Sequence, residues 1–187
     1  MKKKLFFGGV GGIFLAYVGL ALYVMTEMEM VHLMLCSTNQ GGTKIPSSIC
    51  KYYLVNYRIN EKGIKELSEG GGLDVVLNVE GYAEGRAPKY ELAKIFLAKG
   101  LDVNGVNHYK ARAEDKSMTP LQAAVVYNDA PRIKFLIKQG AGLQMRGELG
   151  MTALEYAKKT HKAGSQFRDN REIIKILSDA SNTKPAN

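Results

Sequence analysis

A threonine-headed segment recurs at a fixed distance in this chain. Met118-Thr119-Pro120-Leu121-Gln122-Ala123-Ala124 is echoed by Met151-Thr152-Ala153-Leu154-Glu155-Tyr156-Ala157, and Thr119 to Thr152 is 33 residues. Self-similarity at a constant period restricts the fold more than any single motif, because each period must be one supersecondary unit. Gly-Leu-Asp-Val occurs at positions 72–75 and again at 100–103. A third pattern precedes the unit ends: Ala93, Phe96 and Leu97 before Gly100; Ile133, Leu136 and Ile137 before Gly140; Ile173, Ile176 and Leu177 before Ala180. Each set has i, i+3, i+4 spacing and so lies on one face of a helix. A helix this short cannot bury its stripe alone, but stacking on a similar neighbour can. The pattern therefore predicts an all-α chain of stacked helix pairs.

Over residues 49–180 the sequence resembles ankyrin repeats. The resemblance is most specific in one unit, where Thr119-Pro120-Leu121 and the paired Ala123-Ala124 lead through Phe135-Leu136-Ile137 to Gly140. Threonine caps the first helix and proline occupies its first turn, where no backbone donor is lost. Other units depart from the family pattern. Gln122 stands where the family usually has histidine, Thr152-Ala153 replaces threonine-proline, and residues 161–171 lengthen the approach to the final helix. A first unit over 48–75 keeps only a second-helix half, in Ile64-Lys65-Glu66-Leu67 and Gly70 to Gly72, and a second over 76–104 carries an inserted loop at 81–88. The resemblance implies an ankyrin-repeat solenoid of three to four repeats over 47–180; the expectation for 181–187 is a disordered tail. Gly100 to Gly140 is 40 residues, seven more than the period, and the excess falls in 105–116. Insertions in solenoids form loops, often on the binding face. This one contains Asn107, His108, Tyr109, Lys110 and Arg112, and serves either partner contact or spacing.

Ahead of the repeats, residues 5–25 form a 21-residue stretch without a charge, preceded by Lys2, Lys3 and Lys4 and followed by Glu27 and Glu29. About 20 apolar residues let a helix cross the hydrocarbon core. The expectation is a transmembrane helix over 5–25 with a cytoplasmic tail at 1–4, and the lysines place the remainder on the far side of the membrane. A cleaved signal peptide is the competing reading, with a shorter hydrophobic region and a small-residue cleavage site that is absent here. A lipoprotein signal is disfavoured because Cys36 follows Leu33-Met34-Leu35. Gly8, Gly12 and Ala16, four apart, offer a small-residue pairing face or simply reflect the frequency of glycine in membrane helices.

Residues 26–46 read as a linker, ending at the helix-capping sequence Pro46-Ser47-Ser48. Cys36 and Cys50 are the only cysteines. Beyond a membrane they meet an oxidising compartment, where a disulfide closing their loop would contribute about 3 kcal/mol; two buried thiols are the alternative. Removing the charges of Lys2, Lys3 and Lys4 from the net +8 leaves +5. That remainder alternates with acidic residues, against a nucleic-acid partner.

No nucleophile elbow, P-loop, H-E-x-x-H or C-x-x-C is present. His32, His108 and His161 are scattered and imply no metal site. The expectation is a non-enzymatic chain without cofactor or small-molecule substrate, whose partner is another protein. The candidate contact residues are Tyr109, Lys110, Arg112, Lys116, Met118, Tyr127, Asn128, Arg146, Glu148, Leu149 and Met151. A short chain with an N-terminal anchor and a few ankyrin units looks like immunity proteins that neutralise a toxic secreted effector, such as a phospholipase delivered by type VI secretion. That resemblance implies an inner-membrane protein with its C-terminal domain in the periplasm. The alternative is an ankyrin scaffold or assembly factor of a cell-envelope complex.

Overall fold

The computed structural model describes residues 2–81, 90–109, 116–165 and 169–183, with side chains described from Gly12 onward except Phe14. Among them every regular element is helical. The chain forms two compact units, Met1–Arg58 and Ile59–Asn187.

The first unit begins with α1 (Lys2–Glu27), a continuous 26-residue helix. Among the described residues no helix is long and apolar enough to cross a membrane. Of the stretch 5–25, the side chains of residues 5–11 and 14 lie outside the described ones. Helix α2 (Met30–Ser37) follows, then α3 (Ser47–Tyr53), which continues into a π-helical turn at Leu54–Arg58. The segment read as a linker thus carries a helix. Met30, Leu33 and Met34 repeat the i, i+3, i+4 spacing used elsewhere, and all three are buried. Helices α2 and α3 pack together, and a Cys36–Cys50 disulfide joins them with their Cα atoms 5.8 Å apart. Met25 of α1 is fully buried and Ala21 nearly so. Two polar contacts tie this unit together. The Tyr17 hydroxyl donates to the carbonyl of Lys44 at 2.8 Å, and the Arg58 guanidinium donates to the carbonyls of Met28 at 2.8 Å and Met25 at 3.4 Å. The second contact satisfies carbonyls that a helix C-terminus leaves open. Residues 47–58, expected at the start of the repeats, belong to this unit.

The second unit contains α4 (Glu61–Glu69), α5 (Gly72–Gly81), α6 (Glu91–Ala98), α7 (Pro120–Val126), α8 (Ala130–Lys138), a 3₁₀ turn at Gly147–Leu149, α9 (Ala153–Thr160) and α10 (Arg171–Thr183). Helices pair as α5–α6, α7–α8 and α9–α10; between pairs, α5 touches α7, α7 touches α9 and α8 touches α10. The stripes explain the pairing. Ala93, Phe96, Ile133, Leu136, Ile173 and Leu177 are buried, while Leu97, Ile137 and Ile176 are partly exposed at the edge of each stripe.

Local chemistry sets the helix ends. Thr119 and Thr152 each cap a helix in a reciprocal box: their hydroxyls accept from the amides of Gln122 and Glu155 at 3.3 and 3.2 Å, and those side chains accept the threonine amides at 2.9 and 2.8 Å. Gly100 (φ 97°) and Gly140 (φ 87°) close α6 and α8 in the left-handed region, where a side chain would be strained. The start of α6 is capped from another helix, by Glu80 of α5, whose carboxylate accepts from the amides of Leu92 and Ala93 at 2.7 and 2.9 Å.

The repeated Gly-Leu-Asp-Val does not mark equivalent positions. At 72–75 it opens α5, whereas at 100–103 it follows α6 in a turn. Leu73 is fully buried in the helix and Asp74 is buried too, while Asp102 accepts from the amide of Asn104 at 2.8 Å as a turn former. A tetrapeptide is too short to choose its own conformation, so the neighbouring packing decides it.

Candidate functional site

One edge of the second unit is a ladder of loops. The amide of His108 donates to the carbonyl of Gly70 at 2.9 Å, and that of Asn107 to the carbonyl of Met118 at 3.1 Å. The Ser117 amide donates to the Glu148 carboxylate at 2.9 Å, and the Gly142 amide to the Asn104 side chain at 2.7 Å. Residues 70, 104–109, 116–118 and 142–148 are thereby linked side by side.

Gln122 fastens the ladder to the helices. It is 0% exposed, and its amide nitrogen donates to the carbonyls of Arg146 and Met151, both at 2.8 Å. Its oxygen is occupied by the Thr119 amide, so one side chain joins the capping box of α7 to both ends of the following loop. Gln122 therefore holds residues 146 and 151 to the start of α7.

A buried ionic cluster lies behind the ladder. The Arg132 guanidinium of α8 donates to the Asn78 side chain at 2.9 Å and to the Leu77 carbonyl at 3.3 Å. It stands 3.5 Å from the Asp74 carboxylate and 3.4 Å from that of Asp129. Asn107 donates to Asp74 at 2.9 Å, which connects this cluster to the loop edge. Nearby, Tyr90 stacks on Phe135 with ring centroids 4.5 Å apart, and burial pushes its hydroxyl pKa up, with the Asp129 charge adding to the effect.

Of the eleven candidate contact residues, the ladder brings together Tyr109, Lys116, Met118, Arg146, Glu148, Leu149 and Met151. Lys110 and Arg112 lie outside the described residues. Tyr109 is 64% exposed and, with Gly70 and the α4 side chains Lys62, Lys65, Glu66 and Glu69, lines an open recess of about 630 Å³. Lys116 and Glu148 are exposed, while Met118, Leu149 and Met151 are partly so.

Tyr127 and Asn128 are not on this edge. They occupy the turn at the far end of α7, a seven-residue helix about 10 Å long. Asn128 adopts φ 52° to make the turn, and the Tyr127 ring lies 5.2 Å from the Arg132 guanidinium. Linear spacing does not separate the two ends of so short a helix.

Arg146 has a second task. It forms a two-pronged pair with Glu155, at 2.8 and 2.9 Å, and donates to the Gly150 carbonyl at 3.0 Å. The Glu155 carboxyl is held below its ordinary range, first by the backbone amide of Thr152 and further by Arg146. Arg146 therefore braces the capping box of α9 while remaining exposed.

Asp74, Arg132, Glu80 and the bridging role of Gln122 carried no sequence signal. Their partners lie in other helices or loops, which periodicity does not register. Among the described residues no group of three or more His, Cys, Asp or Glu side chains is placed to hold a metal ion. No protein-family model matches the chain, and no curated protein matches it.

Proposed function

We propose that this chain is a membrane-anchored protein-binding module of the ankyrin type, facing the periplasm, which binds and neutralises a toxic secreted effector such as a phospholipase. The observation that carries the reading is the loop edge: Tyr109, Lys116 and Met118 project from backbone that internal hydrogen bonds, one of them to the Glu148 carboxylate, already hold in place. A preorganised surface loses little conformational freedom when it covers a partner, which favours tight blockade of an enzyme's mouth. Mixed charge around partly exposed methionine and leucine suits a protein surface better than a polyanion. The capped helix pairs and their contacts from one pair to the next support the ankyrin reading. The anchor is supported by the uncharged run at 5–25 and by the continuous α1, 26 residues and about 39 Å long.

The test is rescue of bacterial cells from a periplasmic effector encoded beside this gene, with direct binding to the purified effector. Lys116→Glu together with Met118→Glu is expected to abolish rescue and weaken binding at least tenfold while far-ultraviolet circular dichroism stays unchanged. Rescue at the wild-type level by this double variant would remove the loop edge from the reading. Capture of resident envelope proteins without effector binding would favour a scaffold instead.

A further inference from the structure

In the first unit, two contacts set the level of the neighbouring segments along α1. The Tyr17 hydroxyl holds the carbonyl of Lys44 at 2.8 Å, so loop 38–46 lies at the level of residue 17 on α1. Arg58 holds the carbonyls of Met25 and Met28 at the end of α1. The α3 segment therefore rises beside α1 from the level of Tyr17 to the level of Met28, and α2 descends between those levels. Ala21 and Met25 are buried rather than left for lipid, and the Cys36–Cys50 disulfide locks α2 and α3 together.

Loop 38–46 reads Thr-Asn-Gln-Gly-Gly-Thr-Lys-Ile-Pro, and Asn39, Gly41, Gly42, Thr43 and Lys44 are exposed. Exposed irregular backbone does not occur against hydrocarbon, because each unpaired amide or carbonyl there costs several kcal/mol. A lysine at that level requires water or phosphate beside it.

We propose that the α2–α3 hairpin is a depth stop on the anchor, and that the outer layer of phospholipid headgroups meets the chain at Tyr17 and loop 38–46, with Lys44 against lipid phosphate. This rests on the membrane-anchor reading given above and adds the position of the boundary. The hydrocarbon-embedded stretch is then residues 5–17, about 20 Å of helix against a core of about 30 Å. Local thinning of the bilayer makes up the difference. From Tyr17 to Leu20 α1 rises about 4.5 Å, within one headgroup layer of about 5 to 8 Å, and the exposed Tyr23, about 9 Å up, stands at the outer edge of that layer.

The chain has no tryptophan, so a single introduced indole reports depth without background. Ile13 and Leu20 are 74% and 62% exposed, and the full-length variants Ile13→Trp and Leu20→Trp leave the bundle contacts intact. Each is reconstituted in phosphatidylcholine and phosphatidylglycerol vesicles with and without lipids brominated at shallow or deep acyl positions. The expected result is strong quenching of I13W by deep bromines, while L20W shows a longer-wavelength emission and loses intensity only to shallow ones. If α1 crossed over 5–25, residue 20 would lie about 8 Å from the bilayer centre. Quenching of L20W by deep bromines alongside I13W would therefore overturn the depth stop and leave the anchor standing. An unquenched I13W would overturn the anchor itself, and the depth stop with it. As a second measurement, incorporation should be more complete in vesicles of 14-carbon acyl chains than in those of 22-carbon chains. Equal or better incorporation in the thicker bilayer contradicts the short embedded stretch.

Discussion

Replacing Gln122 tests whether one buried side chain couples neighbouring helix pairs. Gln122→Ala removes a bond from the Thr119 amide and two to the carbonyls of Arg146 and Met151. Each such bond has a net worth of about 1 kcal/mol, and a buried donor left unpaired costs about 1 to 3 kcal/mol. Arg146 lies on the exposed loop and its carbonyl can regain water, whereas Thr119 is 3% exposed and its amide cannot. The expected loss is about 3 to 4 kcal/mol, with a fall in Tm of about 10 °C for a unit of this size. Gln122→His should be milder, at about 1 kcal/mol, because a neutral imidazole can accept from Thr119 and still donate to one carbonyl. Urea unfolding of the full chain in detergent, followed by circular dichroism, gives the energies. Amide hydrogen exchange should show residues 142–151 losing protection first in Q122A. A loss below about 1 kcal/mol in Q122A, or equal losses in Q122A and Q122H, would refute the assignment of these bonds as the coupling element.

Three further outcomes are expected. Arg132→Met strands the buried Asp74 carboxylate and should cost about 3 to 5 kcal/mol, much of it recovered in Arg132→Met with Asp74→Leu; a denaturant double-mutant cycle without such recovery would rule out the pair as the cause. The Asp169 carboxyl is lowered to about 2 from 3.8, chiefly by the Arg171 hydrogen bond, so its stabilisation is fully present above about pH 4 and is lost as pH falls through about 2. Arg171→Ala should accordingly lose less stability than wild type between pH 4 and pH 2, read from urea midpoints, and parallel curves would show that the pair makes no difference. Reducing the Cys36–Cys50 disulfide, whose cysteines are 14 residues apart, should destabilise the first unit by about 3 kcal/mol and speed exchange of the α2 amides, with no change in the amides of α7 to α10.

The sequence by itself determined the helical class and the termini of the central helices. Thr119 with Gln122, Thr152 with Glu155, and Gly100 and Gly140 act through groups within a few residues of one another, so their spacing carries the information. The same holds for Ile133 and Leu136 or Ile173 and Leu177, because helical periodicity is a local property that places them on one buried face. Met30, Leu33 and Met34 meet that criterion as well and are buried in α2. Only the tertiary structure decided that Gln122 reaches the carbonyls of Arg146 and Met151, that Asp74 meets Arg132, and that Glu80 caps α6. It also decided that Tyr127 stands at the opposite end of α7 from Met118, and that identical Gly-Leu-Asp-Val segments take different conformations. In each case the deciding partner is a backbone or side-chain group that chain folding brings near. A hydrogen bond or ion pair depends on distance in space, and no local pattern of residue types records that distance.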